Sequence, residues 1–139
     1  MTIHTTQLEL YSEGNFTVIN VTERIREFVN STGIKQGQVL IFYKHTTGGV
    51  IIGEHEPGII ADIQDMFESI VPIAHDYKHH LRAVDFNGHA HVRSALLTIS
   101  VTIPIQDGEL LLGTHQEILV IDDQIEPLPR YIVIQVSGE

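Results

Sequence analysis

The chain has 139 residues, 42% of them hydrophobic and 19% charged, which describes one globular domain large enough to bury a core without disulfides or a structural metal. Eighteen acidic against eight basic residues give a net charge of −10, which excludes a nucleic-acid-binding surface and leaves only a small anion that two or three local cations could hold. Cysteine is absent, so disulfide frames, thiolate zinc sites and cysteine nucleophiles are excluded, and no apolar run reaches the roughly 20 residues of a membrane helix.

The N-terminus, with Thr2, His4 and Glu9, lacks the basic and apolar regions of a signal peptide, which makes the cytoplasm the expected compartment. From Ile3 to Tyr11 apolar and polar residues alternate, and Phe16 to Ile19 continues after the turn signal Ser12-Glu13-Gly14-Asn15, a pattern that predicts a hairpin. Asn20 precedes Glu23 at capping-box spacing, and Val21, Ile25, Phe28 and Val29 mark one helical face that ends at Gly33. Gln38 to Lys44 and Val50 to Ile52 read as strands around His45-Thr46-Thr47-Gly48-Gly49. A second helix opens at Pro57, with Ile59, Ile60, Ile63, Met66, Phe67 and Ile70 on its inner face, and Pro72 stops it.

Periodicity is lost from Ile73 to Gly88, which predicts a loop of a length more often functional than idle. Asn87 could cap a short helix over Gly88 to Leu97, although His89 to Leu97 is also compatible with an extended chain. Thr98 to Ile105, the turn Gln106-Asp107-Gly108, Glu109 to Leu112, Gln116 to Ile121 and Tyr131 to Val136 complete an expected antiparallel meander. The whole, residues 1–139, is expected to be one α+β domain, largely an antiparallel sheet sandwich with two to three helices.

Five of the nine histidines, His75, His79, His80, His89 and His91, fall within seventeen residues of one another. Imidazole titrates near neutrality and is the commonest protein metal ligand, so the cluster points to proton transfer or a divalent cation. His89 and His91 share a face only on an extended backbone, where His79 would supply a third ligand. The alternative is an acid/base histidine poised by Asp76 or Asp85. His4, His55 and His75 read as surface residues.

In His45-Thr46-Thr47-Gly48-Gly49 two glycines would let backbone amides approach a ligand while the hydroxyls of Thr46 and Thr47 and the imidazole offer donors. An ordinary hairpin connection is the competing reading. Glu54 could act as a general base and Asp62 could orient a histidine through its ring N–H, or both could simply be solvated. Asn87 and Arg93 lie at the start of the possible helix, where they could bind substrate.

The order His45-Thr46-Thr47, Glu54, Pro57, Asp62, Tyr77-x-His79, Ala90-His91-x-x-Ser94-x-Leu96, Pro104-x-x-x-Gly108, Gly113-Thr114-His115-Gln116 and Ser137-Gly138 resembles the secondary thiamine-phosphate synthase family, long catalogued as an uncharacterised protein family. That resemblance implies an α+β homotrimer with a histidine-lined site and a divalent metal, zinc first, with magnesium as the choice for a diphosphate substrate. It carries functional roles to His45, Glu54, Asp62, His79, His91 and Gln116. The implied activity joins a pyrimidine diphosphate to a thiazole phosphate. The chain departs from the family where His115 replaces the usual Trp, where Thr98 replaces a Gly, and in the doubled Gly48-Gly49.

The resulting expectation is a small cytoplasmic transferase acting on a small phosphorylated or heterocyclic substrate, with neither nucleic acid nor membrane as partner. His45, His79 and His91 would be metal ligands or acid/base groups, Glu54 and Asp62 would orient them or handle protons, and Gln116 would donate to the substrate. Lys44, Arg82 or Arg93 would balance a leaving diphosphate. The competing expectation is a non-enzymatic trimer that binds a metal or a small ligand.

Overall fold

The alternation near the N-terminus becomes β1 (Thr2–Ser12) in a computed structural model that describes residues 1–83 and 85–139. It is followed by β2 (Thr17–Asn20), α1 (Thr22–Thr32), β3 (Gln36–Tyr43), β4 (Gly48–Gly53) and α2 (Pro57–Ile70). Then come α3 (His79–Arg82), α4 (Gly88–Leu96), β5 (Ser100–Gln106), β6 (Glu109–Leu110), β7 (Glu117–Asp122) and β8 (Leu128–Gly138). The expected α+β class with antiparallel sheets holds, with four helices among the described residues rather than two or three. The expected loop from Ile73 to Gly88 contains α3, and α4 takes the helical option.

Five strands form one sheet in the order β1-β8-β3-β5-β6 and three form a second in the order β2-β7-β4, and every strand pairing is antiparallel. Two expectations fail here for one reason. Local turn signals predicted a β1–β2 hairpin and a C-terminal meander, but β1 pairs with β8 while β2 pairs with β7 in the other sheet. Turn signals bend the chain locally but do not choose a strand's partner, and the pairings formed are long-range, β1 with β8 over eleven residues and β2 with β7 over four. The β5–β6 hairpin survives, since Asp107 at φ 52° and Gly108 at φ 81° give the two positive dihedrals of a type I′ turn.

Period-two burial explains the five-stranded sheet. Val39, Ile41 and Tyr43 of β3 face the core beside Val136, Ile134 and Ile132 of β8, while Ile103 and Ile105 extend the row on β5. Helix α1 closes this core with Ile25 and Val29, both 1% exposed or less. Asn20 Oδ1 accepts from the Thr22 N–H at its start and Gly33, at φ 72°, ends it. Strand β7 is different: Ile118 to Asp122 is buried without a break, so this central strand is covered on both faces and carries its terminal aspartate into the interior with it.

Helix α2 is capped by Glu56, whose carboxylate accepts from the Gly58 and Ile59 N–H groups at 2.9 and 2.8 Å. Its expected inner face is only partly inward: Phe67 is buried, but Met66 and Ile70 are 49% and 58% exposed.

Gly48 is required where β4 meets β7. A Cβ there would lie 2.1 Å from the Ile121 carbonyl oxygen and 2.8 Å from the Tyr43 hydroxyl. At Gly53, five residues along the same strand, the nearest atoms are flexible side-chain ends at 3.4 and 3.6 Å. Gly48→Ala is therefore expected to cost about 3 kcal/mol, the upper end of overpacking penalties, whereas Gly53→Ala stays close to wild type; urea midpoints of the two variants check this.

Candidate functional site

Two aspartates, Asp122 and Asp123, leave the end of β7 with no exposure at all. Burial of a carboxylate is tolerable only when charge and hydrogen bonds compensate it. Asp122 receives Arg130 Nε at 3.1 Å, the Tyr43 hydroxyl at 3.3 Å, the Gln124 N–H at 3.4 Å and the Ser12 hydroxyl. Burial first and then the Asp122 charge push the Tyr43 phenol well above its ordinary value, so it remains a donor. Asp123 receives Arg93 Nη1 at 3.0 Å, yet its Oδ2 has no hydrogen-bond partner. Burial raises its pKa to about 6, against the opposing pull of Arg93.

Arg130 continues outward from Asp122. Its Nη2 donates to Thr47 Oγ1 at 2.8 Å and its Nη1 to His45 Nδ1 at 3.1 Å. The other nitrogen of the same imidazole, Nε2, faces the Tyr131 N–H at 2.9 Å. A neutral ring has one acceptor nitrogen, so two donors already compete for it and a second ring proton is opposed. Burial, then Arg130, lowers the His45 pKa accordingly. Above this ring lies a cleft of about 300 Å³ lined by Lys44, His45, Thr46, Thr47, Gln124 and Arg130. Three of the five guanidinium N–H groups of Arg130 are used by Asp122, His45 and Thr47, which leaves two for a ligand.

A polar ribbon leads from this cleft to the histidine segment. Asn87 Nδ2 donates to Gln124 Oε1 at 2.9 Å, and Asn87 Oδ1 lies 3.1 Å from His79 Nε2. The same nitrogen is 2.9 Å from Asp85 Oδ1, so His79 carries its proton on Nε2 and donates to both oxygens. The His79 and His91 rings meet edge to face at 4.8 Å beside a second pocket of about 380 Å³.

The residues expected from sequence thus fall into three groups. His45, Thr46, Thr47 and Asn87 line or adjoin the cleft, and His79 and His91 sit at the far end of the ribbon. Glu54 and Gln116 are elsewhere: Gly48 pairs with Asp122 at one end of β4, whereas Gly53 pairs with Glu117 at the other. The seven steps from Thr47 to Glu54 span roughly 20 Å of strand. There Glu54 faces His115 at 3.5 Å and Gln116 accepts the Gly113 N–H at 2.7 Å. Asp62 is exposed on α2.

Arg93, expected to bind substrate, is 1% exposed and donates to Val71 O, Asp123 and Glu68, each at 3.0 Å, with its guanidinium 5.6 Å from the Phe67 ring centre. It ties α2, α4 and the end of β7 together and is unavailable to a ligand. His89 is also fully buried, bonded through Nε2 to the Asp123 carbonyl at 3.1 Å, with Nδ1 unpartnered. Because α4 is helical, His89 and His91 cannot face one ion together. Ser12, Tyr43, Asp122, Asp123 and Arg130 were missed by sequence reasoning. The adjacent acids ending the apolar run Ile118 to Ile121 were the available signal.

Two measurements follow from this geometry. Arg93→Met should cost about 3–5 kcal/mol in urea denaturation by stranding Asp123, and Arg93→Met/Asp123→Leu should recover most of it. Burial lowers the pKa of His45 and His89, so their contribution is complete above the ordinary value of 6.5 and is lost as pH falls below it. Asp123 has the opposite sign: its contribution is complete below 3.8 and lost as pH rises toward about 6. Stability measured from pH 7.5 to pH 5 should therefore fall less steeply in His89→Gln than in wild type, and more steeply in Asp123→Asn.

Residues 6–139 match the family model described as UPF0047 protein YjbQ-like. A UPF0047 protein of Methanothermobacter thermautotrophicus is 32% identical over 139 residues, covering 100% of this chain and 95% of the relative. One from Archaeoglobus fulgidus is 35% identical over 129 residues, covering 93% and 98%. Among solved structures, a hypothetical protein from Aeropyrum pernix superposes with a TM-score of 0.91 at 30% identity, covering 98% of this chain and 99% of that one. A YbjQ-like protein of unknown function from Sulfolobus solfataricus gives 0.88 at 28%, covering 99% and 100%.

These matches overturn the resemblance to the secondary thiamine-phosphate synthase family and, with it, the transferase acting on a phosphorylated or heterocyclic substrate. The zinc-site reading and the metal-binding alternative lose their footing as well, because among the described residues no group of three His, Cys, Asp or Glu side chains converges to hold a metal ion. No helix of the described residues is long and apolar enough to cross a membrane. By model match and by identity over nearly its full length, the chain belongs to the UPF0047, YjbQ-like family.

Proposed function

We propose that the cleft over Arg130 recognises the carboxylate group of a small cytoplasmic molecule. The observation that carries this reading is the Arg130 side chain itself: 6% exposed, fixed by Asp122, His45 and Thr47 through three of its five N–H groups, and lining a cleft. A guanidinium held in one orientation has already lost the rotamer freedom that binding would otherwise cost.

Charge selects the anion. With His45 neutral, the site holds Asp122 against Arg130 and Lys44, a local sum of one positive charge, which a single carboxylate neutralises. A dianionic phosphate would leave one negative charge uncompensated in a chain that already carries −10. Lys44 stands at the rim, its Nζ 2.8 Å from Gln7 Oε1, and can swing to the ligand at little cost because both groups are exposed. Thr46 adds a hydroxyl from the same segment.

Thermal unfolding in the presence of acetate, lactate, succinate or inorganic phosphate tests this. At least one carboxylate at 10 mM should raise Tm, and the shift should disappear in Thr47→Val and shrink in Lys44→Met, both of which leave the Asp122–Arg130 pair in place. A shift with phosphate alone, or no shift with any of the four, overturns the proposal.

A further inference from the structure

Another cavity lies away from the Arg130 cleft. It measures about 790 Å³, within the range of small-molecule sites, and is walled by Asp76, Tyr77, His80, Leu81, Phe86 and Ile125. Its aromatic rings form a connected set: His75 meets Tyr77 at 4.7 Å, Tyr77 meets His80 at 5.5 Å, and His80 meets Phe86 at 5.2 Å, each edge to face. Successive rings are turned 75°, 67° and 65° to one another, and all four line the cavity. Among the described residues that line the cavity, Asp76 is the only carboxylate and none is Lys or Arg.

From this arrangement we infer that the cavity is an aromatic cage for a small organic cation, of the alkylated ammonium class. Ring faces attract a cation through their quadrupoles while accommodating its alkyl groups, and Asp76 supplies the one full opposing charge. The net charge of −10 raises the local concentration of cations and disfavours anions at the same mouth. An apolar neutral occupant would explain the rings but leave the carboxylate without a role.

The cage is built before any ligand arrives. The Tyr77 hydroxyl donates to the Pro72 carbonyl, and the ring lies directly over Gly88, where a Cβ would stand 2.6 Å from the tyrosine Cβ and 2.7 Å from its Cγ. The Gly88 N–H donates to His80 Nε2 at 3.0 Å. That bond occupies the Nε2 lone pair of His80 and withdraws that nitrogen from metal ligation. Gly88, the first residue of α4, thus seats two of the four rings. Phe86 and Leu81, 68% and 87% exposed, stand at the mouth, where large apolar side chains have no folding role of their own.

Isothermal titration at pH 8 with choline and with 3,3-dimethylbutan-1-ol, its neutral isostere, separates cation recognition from apolar burial. Choline should bind saturably and the alcohol about tenfold more weakly or not at all. Asp76→Asn and Phe86→Ala replace exposed side chains, so both variants should keep the wild-type Tm while weakening choline by about three- to tenfold. Equal affinity for choline and the alcohol, no binding of choline, or unchanged affinity in Phe86→Ala overturns the inference. The carboxylate reading of the Arg130 cleft is unaffected by either result, since the two sites share no lining residue.

Discussion

Two arginines hold two consecutive aspartates inside this protein, and most of what lies around them is arranged to make that possible. Asp122 and Asp123 end a strand whose preceding four residues are apolar and buried, so the acids are drawn inward by the burial of Ile118 to Ile121. Leaving either acid unpaired would cost several kcal/mol. Arg130 reaches Asp122 from β8, and Arg93 reaches Asp123 from α4, so each ion pair also fastens an element of the fold to the end of β7. A quarter of the chain's eight basic residues is spent on this one position.

The two pairs have different outcomes. Arg93 is consumed: Val71, Asp123 and Glu68 take its Nε and both terminal nitrogens, and Phe67 backs its plane. Arg130 uses the same three nitrogens, Nε on Asp122 and the terminal pair on His45 and Thr47, but differs in that it lines a cleft. The same physics therefore produces a fastening at one aspartate and a presented donor at the other. His45 follows from it, since a ring placed against a buried guanidinium cannot readily gain a proton and serves instead as an acceptor that holds Arg130 in place.

Local signals in the sequence were reliable where the physics is local. Gly33 closing α1, Pro57 opening α2 and Asp107-Gly108 turning β5 into β6 each rest on dihedral preferences of one or two residues. The His45 to Gly49 segment offered two readings, an anion-holding turn and an ordinary hairpin connection, and in the fold Gly48 and Gly49 belong to β4, where a Cβ would meet the Ile121 and Thr98 carbonyl oxygens. What could not be read was long-range: that β8 inserts between β1 and β3, and that residue 130 meets residues 45, 47 and 122. Arg130 sits in a Pro-punctuated stretch that carries no periodicity, and Ser12 lies 110 positions from the aspartate it bonds.

Helix α2 shows the limit of pattern in a different way. Its apolar row was read as a core face, and the spacing of Ile59, Ile60, Ile63, Phe67 and Ile70 is that of an amphipathic helix. Periodicity reports that a helix has an apolar side, not what that side meets. Here the fixed point is Phe67, buried beneath Arg93, and it sets the rotation of the whole helix. Met66, one step and about 100° around the helix from Phe67, is 49% exposed, whereas Ile70 shares the Phe67 side but is the last residue of α2 and is 58% exposed. Helix α2 is thus tied to the fold at its C-terminal end, where Phe67, Glu68 and the Val71 carbonyl all meet the buried Arg93.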